Sequence, residues 1–181
     1  MKKIIVPLLV IAAVFSSCGS ASPEKSFGIA ALNCNTLYGF AGDGMQRELA
    51  SPSVKLVDEK SGATAPMKRS EVVESKLQTL EENYQKIKDL GLNDDNREMI
   101  TAAIAVYDYA LPVYKNEYKE LAALYDNGAA NDKIEAKQKT ITEKYEDRFY
   151  ELYNNVLTTG KAYASRHGIK VREVNPSPSF K

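Results

Sequence analysis

The sequence predicts an all-α fold: an antiparallel bundle of three long helices, with a short N-terminal helix and minor β-structure at most. The main observation is an apolar stripe that recurs every three or four positions between Asp95 and Asp126. A helix presents such a stripe on one face, where it packs against partner helices. The stripe consists of Ile100, Ile104, Tyr107, Leu111, Tyr114, Tyr118, Leu121 and Tyr125.

Two further apolar stripes predict a long helix on each side of this one. The first follows a capping residue, Ser70, and ends at Gly91; the second begins near Asp132 and ends at Gly168. Because only a few residues separate the second and third helices, we expect them to pack antiparallel. The stripes are Val73, Leu77, Leu80, Tyr84 and Ile87, and then Ile134, Ile141, Tyr145, Phe149, Leu152, Val156 and Tyr163.

A proline interrupts the middle helix and marks the candidate ligand or partner site. Pro112 lacks the N–H group that would bond to the Asp108 carbonyl, which predicts a kink. The kink and the flanking Tyr107 and Tyr114 could form a binding site with Asp108. The structural interpretation, in which the tyrosines form a core with amphipathic edges and the bend shapes the packing, is favoured.

The remaining segments are expected to be short elements and loops. Residues 27–40 fit a short helix, and residues 41–69 read as loop with one strand at 54–57 and a turn after it. Residues 169–174 are a candidate second strand that would pair with residues 54–57. The tail, residues 175–181, is predicted to be disordered.

The N-terminus has the pattern of a signal peptide. Two lysines, Lys2 and Lys3, precede an apolar run of 12 residues, Ile4–Phe15. A helix of that length rises about 18 Å, which is short of a hydrocarbon core of about 30 Å. Removal of this segment on export is therefore expected.

The end of the run, Phe15-Ser16-Ser17-Cys18, resembles the signal of bacterial lipoproteins. In that class, small residues precede a Cys that receives a diacylglyceryl group, and the leader is cut just before it. The resemblance implies a signal peptide over residues 1–17, lipidation of Cys18 and a tether over residues 18–26, followed by a single helical domain over residues 27–174. The alternative is cleavage near Gly19-Ser20-Ala21, which would give a free secreted protein.

The composition argues against catalysis and nucleic-acid binding. The chain holds one His and equal numbers of basic and acidic residues, 24 of each, so no net field favours nucleic acid. We expect His167 to cap the carbonyls that end the third helix and Asp95 to cap the second helix. Cys34 is interpreted as a small buried residue rather than a reactive thiol. Neither a metal nor a cofactor is expected.

These observations favour a non-enzymatic lipoprotein of the bacterial cell envelope. We expect acylated Cys18 to hold it in the outer membrane rather than the inner, facing the periplasm or the exterior. There it would act as an interaction or scaffold protein for a protein partner. The alternative is a helical bundle that binds a small ligand at the tyrosine-rich site near Pro112.

Overall fold

A computed structural model describes residues 21–171, and this part of the chain is mostly helical with one small antiparallel sheet, as predicted. The signal peptide, Cys18 and the tail at 175–181 lie outside the described residues. The elements are α1 (Pro23–Ala30), a 3-10 helix (Leu32–Leu37), α2 (Asp43–Ala50), β1 (Val54–Asp58), β2 (Ala63–Pro66), α3 (Arg69–Asp89), α4 (Arg97–Val113), a π turn (Tyr114–Tyr118), α5 (Lys119–Asp126) and α6 (Asn131–Arg166).

Helix α1 begins inside the segment that was predicted to be a tether. The Ser22 hydroxyl accepts a hydrogen bond from the Lys25 amide, and Pro23 occupies the first helical position, which suits its fixed φ. Ser26 is buried. The tether prediction is therefore wrong for residues 23–26, and the predicted helix over 27–40 is in fact α1 followed by the 3-10 helix.

Residues 41–69 contain more helix and strand than predicted. Helix α2 was missed because it is short and buries only two large side chains, Met45 and Leu49. The strand at 54–57 is confirmed, but its partner is β2 and not residues 169–174. Residues 169–171 form no strand, and residues 172–174 lie outside the described part of the chain.

The start of α3 is capped by a residue from another helix. The Asp126 carboxylate accepts hydrogen bonds from the amides of Arg69 (2.8 Å) and Ser70 (3.0 Å) and from the Ser70 hydroxyl (2.8 Å). Ser70 is therefore a donor to the cap, and its prediction as the N-cap is wrong. The apolar stripe of α3 is buried as predicted, at Val73, Leu77, Leu80 and Ile87.

The middle helix is not a single α-helix. A π turn, Tyr114–Tyr118, follows Pro112 and separates α4 from α5. The Asn116 side chain donates a hydrogen bond to the Pro112 carbonyl at 2.9 Å, which occupies a backbone acceptor beside the interruption. The predicted stripe faces the core on both sides of the π turn: Ile100, Tyr107, Leu111, Tyr114, Tyr118 and Leu121 are buried, and Ile104 and Tyr125 are partly buried.

Helix α6 ends at the predicted glycine, but the side chains next to its end bind Asp95 and not the carbonyls of their own helix. Gly168 adopts a left-handed φ of +64°, which confirms it as the stop. The His167 Nε2 atom lies 2.8 Å from the Asp95 carboxylate, and Arg166 donates to the Asp95 carbonyl at 2.7 Å. The predictions that His167 and Asp95 cap their own helices are therefore wrong, because each binds the other across the fold.

Phe40 joins the N-terminal segment to the long helices. Its ring centroid lies 4.7 Å from that of Phe149 on α6, and 5.7 Å and 6.2 Å from those of Tyr114 and Tyr118 in the π turn. The next residue, Ala41, has a φ of +59°, a conformation that non-glycine residues rarely adopt. Its amide donates to the Tyr118 hydroxyl at 3.0 Å, which helps to hold this conformation.

The cap from Asp126 predicts a pH-dependent contribution to stability. Partial burial opposes ionisation, but hydrogen bonds from Ser70 and Arg69 outweigh it and hold the pKa of the Asp126 carboxyl below its ordinary value. The stability that such a carboxylate adds is present above its unfolded pKa and is lost as the pH falls through the folded pKa. We expect Asp126→Ala to lower the free energy of unfolding by about 1 kcal/mol at pH 7.

Urea unfolding at pH 7 and at about pH 3, which lies below the ordinary pKa of Asp, measures this contribution. The difference between wild type and Asp126→Ala should shrink at the lower pH. Asp147→Ala, on the exposed face of α6, serves as the control and should not lower the stability at either pH. Equal losses in both variants would contradict the role assigned to Asp126.

The hydrogen bond from the Ala41 amide to the Tyr118 hydroxyl predicts that its removal lowers the stability of the protein. Tyr118→Phe removes the acceptor of a buried amide, and an unsatisfied buried donor costs about 1–3 kcal/mol. Tyr150→Phe is the matched control, since Tyr150 is 38% exposed. We expect the control to change the free energy of unfolding by less than about 0.5 kcal/mol. A similar small change in Tyr118→Phe would refute the role of this bond.

Candidate interaction sites

The structure divides the predicted site near Pro112 between the core and the surface. Tyr107 is 0% exposed and Tyr114 is 2% exposed, so both rings lie in the core. Asp108 and Pro112 are exposed on the other side of the same helix. The four residues therefore do not converge on one shared surface.

The contacts of these residues are those of a packed core and its edge. The Tyr107 hydroxyl donates to the Asn33 carbonyl at 2.9 Å, and burial raises the pKa of Tyr107 to about 12. Burial likewise raises the pKa of Tyr114 well above its ordinary value. Asp108 accepts a hydrogen bond of 2.5 Å from the Tyr84 hydroxyl on α3, and this bond raises the pKa of Tyr84. Asp108 thus ties α4 to α3.

Cys34 lies in the core, as the sequence predicts. Its thiol donates to the Ala30 carbonyl at 3.2 Å, and burial raises its pKa to about 12. Because the thiolate is the reactive form of cysteine, a thiol with this pKa is inert near neutral pH.

Among residues 21–171, no group of three or more His, Cys, Asp or Glu side chains is arranged to hold a metal ion. Within the same residues, no helix combines the length and the apolar character that crossing a membrane requires.

The helical body has two distinct ends. At the first, called here the Asp95 end, the loop between α3 and α4 meets the end of α6 through Asp95, Arg166 and His167. A small polar pocket of about 150 Å³ joins the start of α1 to the same end. It is lined by Ala21, Pro23, Ser26, Leu90, Asn93, Asp95, Asn96 and Tyr163.

The opposite end, called here the hairpin end, carries β1 and β2, the start of α3 and the end of α5. Asp126 joins the last two of these, and Lys55 on β1 is hydrogen-bonded and ion-paired to Glu71 on α3. Since α6 begins just after Asp126 and has 36 residues, it is about 54 Å long. That length separates residues 169–171 from the hairpin and explains why these residues do not pair with it.

A cleft of about 310 Å³ opens at the hairpin end, between α2, the end of α5 and the start of α6. Tyr125 forms part of its wall and is held from two sides. The Arg69 guanidinium lies 5.8 Å from the ring centroid, and the Gln138 amide donates to the hydroxyl at 3.0 Å. The lining residues are Asp43, Gln46, Arg47, Ala50, Tyr125, Asn131, Ile134, Glu135 and Gln138.

The hairpin itself exposes apolar side chains that the sequence alone would assign to a buried face. Val54, Leu56 and Val57 are all more than half exposed, and the whole of β1 lies in solvent. A lone two-stranded hairpin is marginally stable in water, so its packing depends on further contacts. The described residues supply one such contact, the pairing of Lys55 with Glu71.

The two edges of the hairpin differ in what they offer a third strand. The Met67 amide donates to the Ser53 carbonyl at 2.9 Å, so these two residues form a hydrogen-bonded pair. Along two antiparallel strands, hydrogen-bonded residue pairs alternate with pairs whose backbone groups point away from the partner strand. The backbone groups of Val54 and Leu56 therefore point to the free edge of β1. The corresponding edge of β2 contains Pro66, which has no N–H to donate. The open edge is thus that of β1.

Neither the cleft nor the exposed hairpin was recognised in the sequence. The strand pattern at 54–57 was visible, but alternation does not reveal which strands remain uncovered. Comparison of the chain with models of protein families, with curated proteins and with solved structures finds no significant match.

Proposed function

We propose that this protein is an exported lipoprotein of the bacterial cell envelope that acts as a non-enzymatic interaction or scaffold protein. The observation that carries the proposal is Cys18, which stands directly after the apolar leader and five residues before α1. Two or three acyl chains on this residue would hold the protein on the membrane, since each buried CH₂ contributes about 0.8 kcal/mol. The outer membrane is proposed as its location, with the folded domain facing the periplasm or the exterior.

The proposal includes a three-helix antiparallel bundle as the scaffold. Its helices are α3, the α4–α5 unit and α6. Two contacts support this arrangement: Asp126 joins the end of α5 to the start of α3, and Asp95 joins the start of α4 to the end of α6. Such a bundle places the Asp95 end and the hairpin end at opposite poles.

The hairpin end is the proposed binding surface for a protein partner. It combines the open edge of β1, the exposed side chains of Val54 and Leu56, and the cleft beside Tyr125. An added strand would satisfy the outward backbone groups of β1, a recurring mode of peptide recognition. The ligand-binding alternative near Pro112 is less well supported, because Tyr107 and Tyr114 are buried and already engaged in the core.

Removal of the lipidated residue tests the anchor. We expect Cys18→Ala to shift the protein from the membrane fraction to the soluble fraction, because the acyl chains have no other site of attachment. Cys34→Ala is the matched control and should remain with the membrane, since Cys34 is buried inside the domain. Immunoblotting of fractionated cells measures both. Continued membrane association of the Cys18→Ala protein would overturn the proposal.

Site-specific photocrosslinking tests the binding surface. A photoreactive amino acid at position 56, on the hairpin, should give a discrete adduct with one protein in living cells, identified by mass spectrometry. The same amino acid at position 92 is the control, because Leu92 is similarly exposed but lies at the Asp95 end. Adducts with the same protein at both positions, or at position 92 alone, would contradict the assignment of the hairpin end.

A further inference from the structure

We propose that the Asp95 end of the domain rests directly on the surface of a phospholipid bilayer. In this orientation, the loop between α3 and α4 and residues 167–171, which follow α6, contact the lipid headgroup region. This inference depends on the lipid anchor at Cys18 proposed above, and it adds an orientation and a contact surface to it.

The first argument is the length of chain between the anchor and the folded domain. Ala21 lines the polar pocket together with Asn93 and Asp95, so the chain already lies against the Asp95 end at that position. Three residue steps separate Cys18 from Ala21, and a fully extended chain covers about 11 Å over that distance. An acylated Cys18 would therefore hold this end within about 11 Å of the bilayer surface.

The second argument is the chemistry of the same end. Leu92 in the loop between α3 and α4 is 53% exposed, and Val171 after α6 is also exposed. The transfer of large apolar side chains from water to the boundary between headgroups and acyl chains is favourable, because it lowers the free energy. Gly91, with a left-handed φ of +67°, turns the chain at the start of this loop, just before Leu92.

The charges at this end show which kind of lipid contact to expect. Arg97 is paired with Asp94 at 3.1 Å. Arg166 and His167 are both bound to Asp95. Because Arg97 and Arg166 are both paired with neighbouring carboxylates, the contact is expected to rely on apolar side chains. It should therefore form on zwitterionic lipid and not require anionic headgroups.

This orientation has a consequence for the opposite end. Helix α6 spans about 54 Å from its start near the hairpin end to its last turn at the Asp95 end. A domain that stands on the Asp95 end therefore holds the edge of β1 and the cleft away from the bilayer. Both surfaces would remain open to a partner.

Fluorescence quenching from the bilayer tests the contact. Leu92→Cys and its matched control Leu56→Cys are each made in full-length protein with Cys34→Ala, so that one thiol remains for labelling once Cys18 is acylated. Each lipidated protein is purified from membranes, labelled with bimane and reconstituted into phosphatidylcholine vesicles. A fraction of the lipid carries a nitroxide quencher on its headgroup. We expect several-fold stronger quenching at position 92 than at position 56.

Flotation of the same vesicles separates failure of this inference from failure of the anchor. If the protein floats with the vesicles but both positions are quenched weakly or equally, the proposed contact is overturned and the anchor stands. If the labelled protein stays in the soluble fraction, the anchor itself is overturned, and this inference is overturned with it. Circular dichroism of the labelled variants verifies that the helical content is unchanged.

Discussion

The rest of the fold depends on the insertion of Phe40 between α6 and the π turn. This ring contacts Phe149 on one side and Tyr114 and Tyr118 on the other, so one residue from the N-terminal segment joins two long helices. The backbone of Ala41 is fixed at the same point: its amide donates to Tyr118 and its carbonyl accepts from Thr142. Close packing of this kind permits little rearrangement, because each neighbour touches several others.

The aromatic cluster includes the π turn that follows the proline in the middle helix. Pro112 removes one backbone hydrogen bond, and the π turn follows within two residues. Tyr114 and Tyr118 both lie within this turn, with ring centroids 4.9 Å apart, and both face the core. The residues of the site predicted near Pro112 are therefore divided: Tyr107 and Tyr114 pack in the core, whereas Asp108 and Pro112 are exposed.

Three of the errors in the sequence analysis concern residues at helix ends. Ser70, Asp95 and His167 were each assigned to the end of their own helix because capping residues are usually local. In the fold, Ser70 donates to Asp126, while Asp95 binds His167. A sequence pattern shows that a residue can donate or accept a hydrogen bond, but its partner is chosen by which helix ends meet. The same limit applies to β1, whose pattern was recognised but whose partner and exposure were not.

The sequence by itself determined the all-α class, the three long apolar stripes, the left-handed stops at Gly91 and Gly168, and the burial of Cys34. These features follow from periodicity and from local backbone preference, which neighbouring residues encode. Only the tertiary structure decided that the Tyr107 hydroxyl binds the Asn33 carbonyl, that Leu56 and Leu92 are exposed, and that Asp126 caps α3. Each of these depends on contacts between segments that are distant in the chain, and no local pattern specifies such contacts.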